Sequence, residues 1–188
     1  HSALTLDRTP DGVATLFFAD ELAMVYAVDA TTGRLRWRER VKWFPTSIVS
    51  GPVAYHDGRL YVPLSSFEVA AAGLPTHECC RSHGGIAALD ATTGKALWRY
   101  DTTPHAMRTT VTRDGTQLWG PSGAPVWNSP TVDATRGVLY FGTGQNSSSP
   151  ATDTSDAIIA LDLATGERRW IFQALADDAW NAACLSGG

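Results

Sequence analysis

With 188 residues and 44% hydrophobic composition, the chain has enough apolar material for one sizeable core and falls outside the disordered class. Fifteen Lys and Arg against 19 Asp and Glu leave a net charge of -4, and no local run builds the basic face that a nucleic-acid partner requires. The best local apolar run is Ala157 to Leu161, far short of the ~18 to 20 residues of a membrane-spanning helix, so a soluble chain with no membrane span is expected. The chain opens on His1 without a charged n-region, an apolar h-region or a small-residue cleavage site, which reads as a processed or truncated piece.

In chain order, the first recognisable segments are Gly12 to Asp20 and Ala23 to Val28, an irregular lead-in that predicts a partial or atypical sheet. It leads into Ala27-Val-Asp-Ala-Thr-Thr-Gly-Arg-Leu-Arg-Trp37. The same sentence returns as Ala88-Leu-Asp-Ala-Thr-Thr-Gly-Lys-Ala-Leu-Trp98 and as Ala160-Leu-Asp-Leu-Ala-Thr-Gly-Glu-Arg-Arg-Trp170. Each copy of A-x-D-x-x-T-G-x-x-x-W reads as an apolar strand, a turn and a strand ending in Trp. In the turn, Asp accepts backbone N–H groups, Thr adds a local hydroxyl and Gly takes the positive φ that other residues avoid. Ahead of the second and third copies lie further hairpins, Pro52 to Val62 and Pro130 to Phe141, each pairing two β-rich runs across a Gly-containing turn.

Two hairpins per repeat make a four-stranded antiparallel sheet, and a series of such sheets with one Trp each suggests radially packed propeller blades. No amphipathic helix of ordinary length is evident. The expected architecture is all-β, a partial propeller with blades near residues 1–45, 46–104 and 125–175, and with 176–188 opening the next segment. About three blades leave two sheet edges open, since a closed propeller takes ~4 to 8. Asp29, Asp90 and Asp162 are spaced by roughly 60 to 70 residues, more than common propeller repeats, so the extra residues are expected to be loops.

The repeat resembles the tryptophan-docking motif of the pyrroloquinoline quinone (PQQ) alcohol dehydrogenases, which are eight-bladed periplasmic propellers. Cys79-Cys80, Gly120 to Asp133, Phe141-Gly-Thr-Gly-Gln-Asn146 and Ser155 to Asp162 make the resemblance closest to the polyvinyl alcohol dehydrogenase branch, over roughly Ser50 to Cys184. The resemblance implies PQQ and Ca²⁺ as cofactors, an alcohol substrate and cytochrome c as electron acceptor.

PQQ is a flat, polyanionic tricycle. It needs π surface above and below, donors at its rim and a divalent cation at its carbonyl. Trp127 matches the family tryptophan on which the quinone stacks, whereas Trp37, Trp98 and Trp170 read as blade-packing residues. Adjacent cysteines pair with each other only through a strained eight-membered ring, which ordinary disulfide geometry disfavours. The family nonetheless covers the other quinone face with such a vicinal disulfide, and Cys79-Cys80 resembles it. The alternatives are two free thiols or a bridge to Cys184. Neither a zinc cluster nor a C-x-x-C-H haem signature is present in the sequence.

For calcium, which takes several oxygen ligands, Glu68 matches the family glutamate. Gln145, with Asn146 beside it, stands where the family has an amide in its G-T-G-N segment. At the position of the family's catalytic aspartate this chain has Asn181, and an amide cannot act as a general base near neutral pH, although it can still ligate calcium. The base is then Asp178 or Asp177 from a shifted position, or an acid beyond Gly188, the option favoured here; otherwise the protein has ceased to oxidise alcohols. His83 replaces an arginine expected to pair with the quinone, with Arg81 as a substitute, and Ser50 and Ser65 occupy positions of hydroxyl donors. The resemblance therefore implies a PQQ- and calcium-dependent enzyme oxidising secondary or polymeric alcohols, of which this piece alone is inactive. The competing reading is a noncatalytic propeller that binds proteins through the same repeats.

Overall fold

A computed structural model describes residues 3–185. His1 and Gly188, on which the expectations about the chain's ends rest, lie outside that range. Three large antiparallel sheets and two small two-stranded ones follow along the chain, and among the described residues helix is confined to Glu68–Ala71 and a 3-10 turn at Ala182–Leu185.

The first sheet has four strands in meander order: β1 (Thr5–Arg8), β2 (Ala14–Ala19), β3 (Met24–Asp29) and β4 (Leu35–Arg40). It is complete, contrary to the atypical sheet expected from its lead-in. Short polar turns account for the difference. Thr9 and Val13 close one hairpin through Thr9 N–H to Val13 O, while Asp20 Oδ1 accepts the N–H groups of Leu22 and Met24 in the next.

The second sheet orders β5 (Ser47–Ile48), β7 (Arg59–Ser66), β8 (Gly85–Asp90) and β9 (Ala96–Asp101), with β6 (Ala54–His56) also pairing along β7. The residues between the second and third sheets are not all loop. They form a hairpin of β10 (Met107–Val111) and β11 (Gln117–Gly120), and β12 (Ser122–Gly123) pairs with β15 (Asn146–Ser148). The third sheet orders β13 (Thr131–Asp133), β14 (Val138–Gly142), β16 (Ala157–Asp162) and β17 (Arg168–Gln173).

Alternation of side chains along the strands makes two seams. Phe17, Val25 and Ala27 of the first sheet meet Leu60, Val62, Leu64, Ala87 and Leu89 of the second in one buried cluster. The opposite face of the second sheet, carrying Tyr61, Ile86 and Ala88, meets Leu139, Phe141, Ile159 and Leu161 of the third. The middle sheet is thus covered on both sides, which explains the nearly continuous apolar reading of Ile86 to Leu89. Each fully buried Leu or Ile in these seams contributes about 1.5–3 kcal/mol relative to exposure.

The repeated sentence now has a physical role. In each copy Asp29, Asp90 or Asp162 accepts two backbone N–H groups through Oδ1, from the residues two and three positions on. The turn glycines have φ of +72, +76 and +76. Gly94 also receives the indole of Trp37, and Gly166 that of Trp98: a Cβ would stand 2.7 and 2.5 Å from the rings. Each Trp therefore docks on the turn of the following sheet. Gly33 faces open space and Trp170 is 46% exposed, so the corresponding partners on the two outer sheets are uncovered among the described residues.

Strand direction sorts the connections. The three repeat turns lie at one end of the sheets, whereas the segments 67–84, 102–106, 124–130, 143–156 and 174–181 emerge at the other. Every residue singled out for chemistry lies at or near this second end.

Candidate functional site

The segment after β7 is organised around a buried carboxylate. Glu68, at the start of a single helical turn and 6% exposed, accepts Arg81 N–H at 2.9 Å and Ser82 N–H at 2.6 Å through Oε2. Its Oε1 lies 3.2 Å from His77 Nε2. Both oxygens are thereby committed to holding 77–82 against the helix, the segment that carries the cysteines. Cys79 and Cys80 form a disulfide with each other across a cis peptide bond, while Cys184 is free and exposed. The pair packs on Ala72 and Leu118, and its backbone bonds Trp119 in both directions. Arg81 stacks over the Trp119 ring at 4.0 Å and pairs with Glu78 instead of extending toward the cysteines.

Trp127 is half exposed, unlike the seam tryptophans Trp37 and Trp98. Its six-membered ring lies against Gly144, where a Cβ would come within 2.6 Å, so the G-T-G segment uses glycine to admit the indole. On the other side of its backbone, a Cβ at Gly51 would stand 2.8 Å from the carbonyl oxygens of Trp127 and Asn128. Next to Gly51, the hydroxyl of Ser50 is buried without a hydrogen-bond partner among the described residues. A buried orphan hydroxyl is uncommon in a native core and points to a ligand atom or water as its partner. Ser65 is buried in β7, opposite Ile48.

The two adjacent amides behave differently. Asn146 is fully buried, and its Nδ2 donates to Ser122 O and Thr152 Oγ1 while its Oδ1 accepts Thr152 N–H at 2.8 Å. It is a fastener for the loop end. Gln145 carries no side-chain hydrogen bond among the described residues and is the free amide of the two. Asn181 donates to Ser147 O at 2.7 Å, its Nδ2 lies 3.8 Å from Cys79 Sγ, and its Oδ1 accepts Ala183 N–H.

These bonds bring the disulfide, Asn181 and the 144–148 segment that includes β15 together. Trp127 joins them through Gly144, and Asp178 through its carbonyl, which accepts Asn146 N–H. Asp156 was not anticipated from sequence. Its N–H bonds Gly144 O, its φ is +47, and its buried Oδ2 has no hydrogen-bond partner among the described residues. Burial, and then the neighbouring Asp178 carboxylate, hold its carboxyl above the usual range. The only available signal was an aspartate in the turn-rich Thr152-Asp-Thr-Ser-Asp156 just ahead of a strand.

His83 faces elsewhere. The residue is 1% exposed and its ring packs on Phe44 and Trp43, with Nδ1 on Gly84 O and Nε2, 4.0 Å from Asp101, lacking a hydrogen-bond partner among the described residues. Burial pushes its pKa down, which favours the neutral ring.

A stacking quinone fits what is present: a half-exposed indole, a rigid disulfide at the same end and an unpartnered hydroxyl beside Trp127. A complete calcium site does not. No group of three or more His, Cys, Asp or Glu side chains that could hold a metal occurs among the described residues. The one carboxylate expected to bind it, Glu68, is already engaged by two backbone donors and His77.

Serial four-stranded sheets, indoles docked on turn glycines and a vicinal disulfide near a half-exposed tryptophan define a β-propeller of the quinoprotein class. The chain belongs to the family described as PQQ: Glucose/ethanol/alcohol dehydrogenase, beta-propeller domain, whose profile matches residues 69–184. It is 41% identical over 183 residues to the polyvinylalcohol dehydrogenase of Sphingopyxis sp. (strain 113P3), covering 95% of this chain and 28% of that protein. A Pseudomonas sp. polyvinylalcohol dehydrogenase is 36% identical over 170 residues, covering 90% and 27%. The chain therefore spans little more than a quarter of the length of these relatives. A quinohemoprotein alcohol dehydrogenase from Pseudomonas putida HK5 superposes with a TM-score of 0.70 at 23% identity, over 94% of this chain and 28% of that one, a likeness of fold.

Proposed function

We propose that the longer protein containing this segment is a periplasmic enzyme that oxidises secondary or polymeric alcohols with PQQ and passes the electrons to cytochrome c. The observation that carries this reading is the half-exposed Trp127 seated on Gly144, at the same end of the sheets as the Cys79–Cys80 disulfide. A protein-binding scaffold built on the repeats has no use for that pairing. The polyvinylalcohol dehydrogenases named above supply the substrate class.

When bound, PQQ supplies the two-electron acceptor for the alcohol carbon. The chain's own residues do the rest. Trp127 would provide a stacking surface that Gly144 keeps in place, the disulfide would supply a rigid wall, and the unpartnered Ser50 hydroxyl would be a donor held for the cofactor. Asn181 is an amide and takes no proton. The proton acceptor is an acid beyond Gly188, and Asp178, with Asp156 beside it, is the carboxylate this segment itself offers in its place. Gln145, the uncommitted amide, would offer an oxygen to a cation; Asn181 Oδ1 already accepts Ala183 N–H, and the carboxylate ligands would come from elsewhere in the longer chain.

The test is a PQQ titration of the full-length parent protein, followed by quenching of tryptophan fluorescence, with Trp127→Ala alongside. Saturable quenching that is largely lost in the variant is expected. Absence of quenching in the parent protein would overturn the reading in favour of a scaffold.

A further inference from the structure

His83 lies at the loop end, takes no part in the candidate site, and is built into a box that three parts of the chain supply. Trp43 and Phe44 come from the connection between the first and second sheets, their ring centroids 5.9 and 4.9 Å from the imidazole. His105, on the exit from β9, stands 6.2 Å away. Trp43 is itself held in place: it lies against Gly85, where a Cβ would collide with its six-membered ring, and the Arg99 guanidinium covers it at 4.4 Å. The backbone here is a strap. His83 bridges to Gly123, while Gly84 N–H donates to Gly123 O at 2.9 Å, Gly123 N–H to Ser82 O at 2.8 Å and Thr102 N–H to Gly84 O at 3.1 Å. The box therefore sits where the disulfide segment is tied to the 122–126 loop and to the exit from β9.

The hydrogen bonds fix the protonation of the ring. Nδ1 lies 2.8 Å from Gly84 O, and a carbonyl only accepts, so Nδ1 carries the hydrogen and Nε2 of the neutral ring presents a lone pair. That lone pair has no hydrogen-bond partner among the described residues, and Asp101 Oδ2 stands 4.0 Å from it, an acceptor facing an acceptor. Asp101 is already held by Arg99 through two bonds of 2.8 and 2.6 Å, so it cannot serve a charged His83 without releasing the guanidinium that covers Trp43. Of the charged groups around the ring, Asp101 favours a cation there, whereas Arg99 and His105 oppose it; Trp43, Phe44 and Gly123 bring no charge. Burial is the largest influence and keeps the ring neutral.

We propose that His83 is an acid-sensitive latch: neutral, it closes the box of Trp43 and Phe44 over the strap, and proton uptake opens the box and loosens the disulfide segment from the 122–126 loop. The latch needs neither cofactor nor substrate, so it goes beyond the alcohol-oxidising reading and stands or falls apart from it. A ring held neutral in the fold takes up its proton more readily once released. The stability it supports is whole above the ordinary histidine value of about 6.5 and declines as the pH falls from there toward the lower folded value. With one proton coupled to opening, the open fraction changes about tenfold per pH unit across that window.

The experiment is hydrogen exchange of the full-length parent protein, followed by mass spectrometry between about pH 7.5 and 5 and corrected for the ordinary pH dependence of exchange. The strap amides of Gly84, Thr102 and Gly123 should lose protection by up to about tenfold per pH unit below about 6.5. The turn amides of Gly33 and Gly94, bonded to Asp29 O and Asp90 O, should stay level. His83→Asn and His83→Phe do not titrate in this range, so each should hold its strap protection constant with pH, whatever its absolute level. The exposed His105 serves as control, and His105→Gln should keep the decline of the parent. A level profile in the parent, or the same decline in the His83 variants, would overturn the latch. Should neither His83 variant fold, NMR titration of the His83 ring in the parent decides. A midpoint below about 6.5 that coincides with the loss of strap protection supports the latch, and any other midpoint overturns it.

Discussion

The two seams use the same plug and socket but different hydrogen bonds. At the first, Trp37 sits on Gly94 and its indole N–H donates to Ala91 O at 2.9 Å. At the second, Trp98 sits on Gly166, yet the corresponding carbonyl, Leu163 O, is taken by Tyr61 Oη at 3.1 Å and approached by Arg59. The Trp98 N–H is left buried and without a partner among the described residues. Docking thus tolerates loss of the polar contact but keeps the close approach of ring to glycine. Shape is the common denominator, and the hydrogen bond is an addition that one seam has and the other has given to a tyrosine.

The largest effect should come from filling the sockets. Gly94→Val and Gly166→Val each place a branched side chain at positive φ and drive a Cβ into an indole, so each should cost about 3 kcal/mol or more in urea unfolding of the parent protein. Similar losses at both sites would confirm that shape dominates. Next, Trp37→Phe should cost about 1 kcal/mol more than Trp98→Phe, since only the former removes a hydrogen bond in use. Equal losses would break the contrast. Tyr61→Phe tests the exchange directly. It frees Leu163 O for the Trp98 N–H, so its loss should be under ~1 kcal/mol, with a change in the Trp98 emission, whereas a larger loss would show that the indole cannot take over the carbonyl.

The smallest effect concerns the turn of the second seam. The Arg169 guanidinium, and then backbone N–H groups, hold the Asp162 carboxyl at about 2. A depressed carboxylate adds stability above its unfolded value, and that stability is lost as pH falls toward about 2. Asp162 is largely solvated, so screening keeps the contribution small. Arg169→Ala should move the Asp162 titration, followed by NMR, upward from about 2, and an unmoved titration would remove Arg169 from the account.

What could be read in the sequence was local. The three D-x-x-T-G turns, the hairpins Pro52 to Val62 and Pro130 to Phe141, and the all-β architecture all follow from residues within a few positions of one another. The first sheet was under-read although β2 and β3 alternate in burial, because its first two turns rely on single residues such as Thr9 and Asp20 and carry no repeated signature. The hairpin of β10 and β11 was read as loop for a similar reason, since its strands are mostly exposed and carry no clean alternation.

In the site, pattern indicated which residues gather but not how their atoms are spent. Glu68 carries a carboxylate suited to a cation, but two backbone donors thirteen and fourteen residues away occupy it. Asn146 looks interchangeable with Gln145 until Thr152 and Ser122 saturate it. His83 aligns with a cofactor donor but is turned into an aromatic box by Trp43 and Phe44, from a preceding connection. Each of these outcomes depends on partners that only folding brings near.

Segregation of the repeat turns from the chemical loops, on opposite ends of the same strands, divides the labour of the chain. One end is bound by steric rules that leave little latitude, because an indole must find a bare glycine. The other end can lengthen, as in the 102–130 connection, without disturbing a seam. Loops at that end can therefore vary while the docking of sheet on sheet stays constant, because the two tasks share strands but no contacts at the turns.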